Sequence, residues 1–233
     1  SKMGDHAHSI NFGRADGILL DLGFSSIQLN SSGKGFSFQK NEPLDMRFDT
    51  TGPKASELVN NMAEKELANL IYNYGEERKS RMIARAIVNN RPIDSSSQLA
   101  DLILRILGRR KETIHPATRT FQALRIAVNQ ELDNLRQGLD QAISLLAPFG
   151  RLAVISYHSL EDRIVKTVFR EGSSSCICPP GLDVCACTHK PSIQVITRKV
   201  IKPTLEEILS NPRSRSAKLR IVQKLPKEIT HKS

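Results

Sequence analysis

Asp21 is the residue best placed to do chemistry. It closes a short, almost continuous apolar run, Asp16-Gly-Ile-Leu-Leu-Asp21, with Gly23 just behind. An acid at the carboxyl end of a buried parallel strand lies where open α/β sheets bind their ligands. His158 stands after a second strand-like run, Leu152-Ala-Val-Ile155. It either faces the same cleft as Asp21 or flanks the next helix. Asp45, Arg47 and Asp49 share a loop with few apolar anchors. Either they form a substrate-facing lid or they are spent on an internal salt bridge. Arg78, Lys79, Arg81 and Arg85 crowd one helical stretch and could track phosphates, the alternative being a solvated helix face.

The four cysteines pose a separate problem. Cys176-x-Cys178 and Cys185-x-Cys187 frame Pro179, Pro180 and Gly181, and His189 follows closely. Paired thiols around a turn favour a metal over disulfides in a cytosolic protein. Zinc ligands more often stand as C-x-x-C, so structural zinc competes with free thiols and with a redox pair. Gly33-Lys34-Gly35 is the one G-x-G, but no strand precedes it and no helix follows, so it is rejected as a cofactor fingerprint.

The elements that must position these residues alternate in type. After the Asp21 strand, 25–53 reads as loop. Short amphipathic helices follow at Glu57–Met62, Glu64–Tyr74, Glu76–Asn89 and Ser96–Leu107. Beyond His115-Pro116, apolar residues from Phe121 to Leu146 recur at helical spacing until Pro148 and Gly150. Ser159 with Asp162 resembles a capping box for a helix ending at Gly172. Strands at Ile193–Arg198 and Lys218–Gln223 flank a short helix at 204–209. The pattern predicts an α/β fold with an inserted helical block.

Composition narrows the class. The 233 residues are 39% hydrophobic and 25% charged, as in a soluble globular protein. No apolar run approaches the ~20 residues of a membrane helix, and no signal peptide opens the chain, so cytoplasmic residence is the expectation. Lys and Arg exceed Asp and Glu by 34 to 24, giving +10, which points toward a polyanion. With no Trp and 5% aromatics, a base-stacking platform for single strands is not expected.

Several blocks, in order, resemble the RsmH (MraW) family of ribosomal RNA cytosine methyltransferases. They are Asp16–Leu29, Gly35–Phe38, Pro43–Asp49, Tyr74–Arg78, His115–Arg125, Gly150–Lys166 and Asn211–Arg220. The resemblance implies a Rossmann-like class I methyltransferase sheet, with partial core at 1–51 and 111–233 and a helical, RNA-binding subdomain at 52–110. It implies S-adenosylmethionine as methyl donor, bound by Asp21 and Gln28. The acceptor would be the exocyclic N4 of a cytidine in the decoding region of small-subunit ribosomal RNA. Asp21 would then serve the donor, the acceptor amine, or both. Asp21 with Phe24 also mimics the acid-then-aromatic spacing of other amino-methyltransferases, where the ring stacks on an extruded base; packing is the competing role for Phe24.

The family pattern carries further strands and a Gly-Gly-His cofactor loop upstream of the Asp21 strand, which this chain does not match. The resemblance therefore begins at the fourth core strand. Weak cofactor binding by the chain alone is expected, and an exposed sheet edge with it. A non-catalytic RNA-binding or ribosome-assembly module is the alternative from a different class. Small-subunit RNA or the 30S particle is the expected partner, with no membrane.

Overall fold

The computed structural model describes residues 3–23, 33–38, 40–108, 115–179 and 185–226. It divides into two compact units, 1–23 with 132–233, and 24–131. The first is Rossmann-like, a parallel strand pair extended by an antiparallel pair and flanked by helices. Its elements are α1 (Met3–Ser9), β1 (Ala15–Asp21), α7 (Glu131–Leu145), β2 (Leu146–Ser156), α8 (Ser159–Ser173), β3 (Ile193–Val195), α9 (Leu205–Ser210) and β4 (Lys218–Lys224). The strand order is β1-β2-β4-β3. β1 runs parallel to β2 with Asp21 opposite Ile155, and β4 lies antiparallel to β2 and to β3. Its core gathers Leu139, Leu146, Leu152, Val154 and Val222, all fully buried.

Sheet position alters what the apolar runs imply. β1 is the outer strand of the described sheet, so Leu19 is 63% exposed although its run reads as a buried strand. β2 is longer than its expected Leu152–Ile155 and includes Pro148 and Gly150, which look like a helix stop. The irregular register opposite Ala15–Gly17 accommodates that entry. At the start of α8 the capping pair is His158 with Glu161, one residue earlier than Ser159 with Asp162. Asp162 is committed elsewhere: Arg220 Nε donates to its Oδ1 at 2.7 Å, and Lys218 Nζ to its Oδ2 at 3.4 Å. Burial alone would raise the Asp162 pKa, but these two cations outweigh it and hold the carboxyl below its ordinary value.

The second unit is helical: α2 (Ala55–Asn61), α3 (Glu64–Gly75), α4 (Ser80–Asn89), α5 (Ser96–Leu107) and α6 (Thr118–Asn129). It is wider than 52–110. Leu44 and Met46 before it, and Phe121 and Leu124 after it, share one core with Val59, Ile71, Ile83 and Leu99. The continuous helical pattern from Phe121 onward is two helices, parted at Gln130, whose φ of 48° is left-handed. Gly75 allows α3 to approach α6: a Cβ there would lie 2.5 Å from the Arg119 carbonyl oxygen. His115 stacks on Phe38 with ring centroids 4.4 Å apart, and Phe38 meets Phe121 edge-on. His115, which opens one of the family-like blocks, is thus a packing residue.

Candidate active site

Asp21 ends β1 and Ser156 ends β2, and their pairing continues one residue on, where Leu22 N–H donates to the Ile155 carbonyl at 3.0 Å. The next residues, Gly23 and Tyr157, therefore leave the sheet side by side. Gly23 has φ +101°, a left-handed turn closed to most side chains, and it brings the backbone against the Tyr157 ring. Tyr157 Oη donates to Asp21 Oδ1 at 2.9 Å. Burial pushes the Tyr157 pKa up, and the hydrogen bond to the anion adds to it, to about 12. The phenol stays protonated and remains a donor. Asp21 is exposed, so its carboxylate is available to a ligand.

The chain just beyond Tyr157 is fixed by Glu161. Its Oε2 accepts from Tyr157 N–H at 2.9 Å and from His158 N–H at 3.2 Å. His158 Nδ1 accepts from Glu161 N–H at 3.4 Å, completing the reciprocal cap. His158 Nε2 also lies 3.2 Å from Glu161 Oε1, a close electrostatic contact without the alignment of a hydrogen bond. Burial tends to raise the Glu161 pKa, yet His158 and the two backbone N–H groups hold it low. Of the two roles open to His158, the structure shows the helix flank; Tyr157, one residue earlier, meets Asp21. No spacing rule singles out that tyrosine, because its partner is distant in sequence.

The other sequence-selected residues belong to the helical unit or to the loop before β3, or fall outside the described residues. Phe24 and Gln28 fall outside the described residues. Asp45 and Arg47 form a bidentate pair, Arg47 Nε to Oδ1 at 2.7 Å and Nη2 to Oδ2 at 2.9 Å. Arg47 Nη1 donates to the carbonyls of Thr50 and Gly52. The side-chain hydrogen bond from Arg47 keeps the Asp45 pKa low against the opposing effect of burial. Asp49 accepts from the Thr51 N–H and hydroxyl, both at 2.9 Å. This loop spends its charges internally. Lys34 of the rejected G-x-G braces it, donating to the Arg47 carbonyl at 2.9 Å.

Arg78, Lys79, Arg81 and Arg85 are all exposed, but they do not share one helix. Glu76 turns left-handed at the end of α3, so Arg78 and Lys79 sit in a turn and α4 begins at Ser80. Arg85 pairs with Glu64 at 3.3 Å, an exposed ion pair of little energetic weight. The four thiols converge: four of their six Sγ pairs lie 3.4–4.0 Å apart, and all four Sγ atoms lie within 4.8 Å of one another. His189 is not among them: its Nε2 donates to the Glu171 carbonyl at 2.9 Å.

An exposed acid held by a phenol at the carboxyl end of a parallel strand matches the position that a sheet of this kind uses for ligands. The family model described as the MraW methylase family matches residues 1–225. The chain belongs to the MraW methylase family. Among curated relatives, the protein named Ribosomal RNA small subunit methyltransferase H from Thermomicrobium roseum is 53% identical, over 94% of this chain and 68% of its own length. The protein of the same name from Syntrophotalea carbinolica is 52% identical over 93% of this chain and 71% of its own. That from Dehalococcoides mccartyi is 54% identical over 90% and 60%. The chain thus spans between 60% and 71% of the length of these relatives. Methylases of this family imply S-adenosylmethionine as methyl donor. The exposed Asp21 carboxylate fits its cationic methionyl end; the second residue expected to bind it, Gln28, is outside the described residues. Among the described residues no helix is long and apolar enough to cross a membrane.

Proposed function

We propose that this chain carries the acceptor site of a methyltransferase that modifies the exocyclic N4 amine of a cytidine in the decoding region of small-subunit ribosomal RNA. Membership of the MraW methylase family, the names of its relatives and the +10 charge support the substrate class. The observation that carries the reading is the exposed Asp21 carboxylate fixed by Tyr157.

A cytosine amine is a poor nucleophile because its lone pair is delocalised into the ring. When bound, S-adenosylmethionine contributes a sulfonium-activated methyl group, so the protein need supply little beyond position and charge. Asp21 accepts a hydrogen bond from the amine, which localises the lone pair as the proton is drawn off. Tyr157 engages Oδ1 alone and leaves Oδ2 for that task. Asp21 also attracts the cationic donor, so one carboxylate orients both reactants. Arg78, Lys79 and Arg81 in the helical unit hold RNA phosphates without reading sequence.

The test is Asp21→Asn in the protein at the full length of its relatives. Single-turnover methylation of small-subunit particles should fall by roughly 10²–10⁴-fold even at saturating cofactor, with cofactor affinity weakened alongside. A drop in affinity, with the rate restored at saturating cofactor, would limit Asp21 to holding the donor. Normal rate together with normal affinity would remove it from the mechanism.

A further inference from the structure

The long connection between α8 and β3 carries no helix or strand among its described residues, 174–179 and 185–192. Connections of this length without secondary structure are uncommon in compact domains and need some other source of order. Its two stems are fixed. Ser192 N–H donates to the Gly172 carbonyl at 2.9 Å, and a Cβ on Gly172 would meet Ile193 Cδ1 at 2.9 Å. His189 fastens the returning strand to Glu171 at the end of α8.

Beyond the stems, little apolar burial orders the loop. Cys176 and Cys185 are exposed, and Cys178 and Cys187 only partly covered. Free cysteines usually behave as small buried apolar residues. Here they meet at the surface, so hydrophobic packing does not account for their convergence. The distances give another reason. Cys185 Sγ lies 3.4 Å from Cys176 Sγ, 3.5 Å from Cys187 Sγ and 4.0 Å from Cys178 Sγ, while Cys187 to Cys176 is 3.7 Å. Four sulfurs each about 2.3 Å from a tetrahedral zinc ion would stand about 3.8 Å apart. These four separations bracket that value, and the other two pairs lie within 4.8 Å. A disulfide would require a sulfur separation near ~2.0 Å. Cys178 N–H also donates to Cys176 Sγ at 3.4 Å, the kind of backbone contact that stabilises a coordinated thiolate.

We propose that Cys176, Cys178, Cys185 and Cys187 form a structural site for one zinc ion, which clasps the loop between α8 and β3. Four thiolates complete the tetrahedron and leave no position for a water or substrate, so the ion takes no part in methyl transfer. The site goes beyond the proposed function and does not depend on it.

Two measurements on the whole chain test it. Protein purified under reducing conditions without chelator should contain about one zinc per chain by elemental analysis. After zinc removal, titration of the reduced protein with cobalt(II) should saturate at about one equivalent. It should show intense thiolate-to-metal charge transfer and the strong visible bands of a tetrahedral site. Each of Cys176→Ser, Cys178→Ser, Cys185→Ser and Cys187→Ser should lose or alter that spectrum. The parent chain's own titration decides the matter even where a variant fails to fold. Purified protein without metal, whose cobalt titration gives no charge-transfer band, would overturn the site. So would serine variants that keep the parent spectrum and affinity, since the ion would then be held elsewhere.

Discussion

Tyr157 and Asp21, 136 residues apart in sequence, meet at 2.9 Å across the carboxyl ends of two parallel strands, the phenol donating and the carboxylate accepting. Under the proposed function Tyr157 is a positioning residue. Tyr157→Phe keeps the ring against Gly23 and removes only the donor. Loss of a hydrogen bond to a charged group is worth about 1.5–3 kcal/mol, or roughly 10–100-fold in rate if Asp21 must be held for transfer. Single-turnover rates on small-subunit particles, with cofactor affinity in parallel, check this. A variant at the parent rate would show that Asp21 holds its own orientation.

The same pair sets a titration. The folded phenol is pushed from its ordinary 10.0 up to about 12, so the unfolded chain gives up its proton first. Its contribution to stability is therefore full below the ordinary value and lost as pH rises through about 12. Ultraviolet titration of the phenolate should show one late tyrosine. Asp21→Asn should lower its midpoint part of the way, since burial, the larger cause, remains.

Asp162 gives the opposite limb. Its depressed pKa means that the pairing with Arg220 and Lys218 is at full strength above the ordinary carboxylate range, and is lost as pH falls through the depressed value. Asp162→Asn should cost about 1–3 kcal/mol in denaturant melts near neutrality. The gap between variant and parent should close in acid; a gap independent of pH would mean that packing, not charge, is what the substitution disturbs.

The phosphate binding proposed for the helical unit predicts a salt signature. Arg78→Gln, Lys79→Gln and Arg81→Gln should each weaken RNA binding whatever the sequence, and each should reduce the slope of log affinity against log salt by about 1. Arg47→Gln should leave that slope alone, because Arg47 is tied to Asp45 and backbone carbonyls. Fluorescence anisotropy at several salt concentrations distinguishes the two groups.

The parts of this fold that were readable in the sequence are those governed by local rules. The run ending at Asp21 declared a strand, and helical spacing located α3 and α5 to within a residue or so. Tertiary competition hid the rest. Serine is a favoured cap, so Ser159 drew the helix start, but Asp162 was taken by β4 and His158 with Glu161 closed the end instead. Gln130 carries no breaker signal, yet its left-handed turn divides one apolar pattern into two helices. The flanks 24–51 and 111–131 look like loop and core because nothing local reveals that Leu44, Met46 and Phe121 pack with the helices between them. Tyr157 was invisible for the same reason: its partner is defined by strand pairing alone.

The pairing of β1 with β2 also has a timetable. Asp21 and Ile155 stand opposite each other but 134 positions apart. At ~5–20 residues per second, β1 leaves the ribosome roughly 7–27 s before its partner strand is made. The helical unit, drawn from residues 24–131, is synthesised within that interval. During synthesis the strand bearing Asp21 is a waiting edge tethered to a folded neighbour, and the acid finds its phenol only when the later half of the sheet arrives.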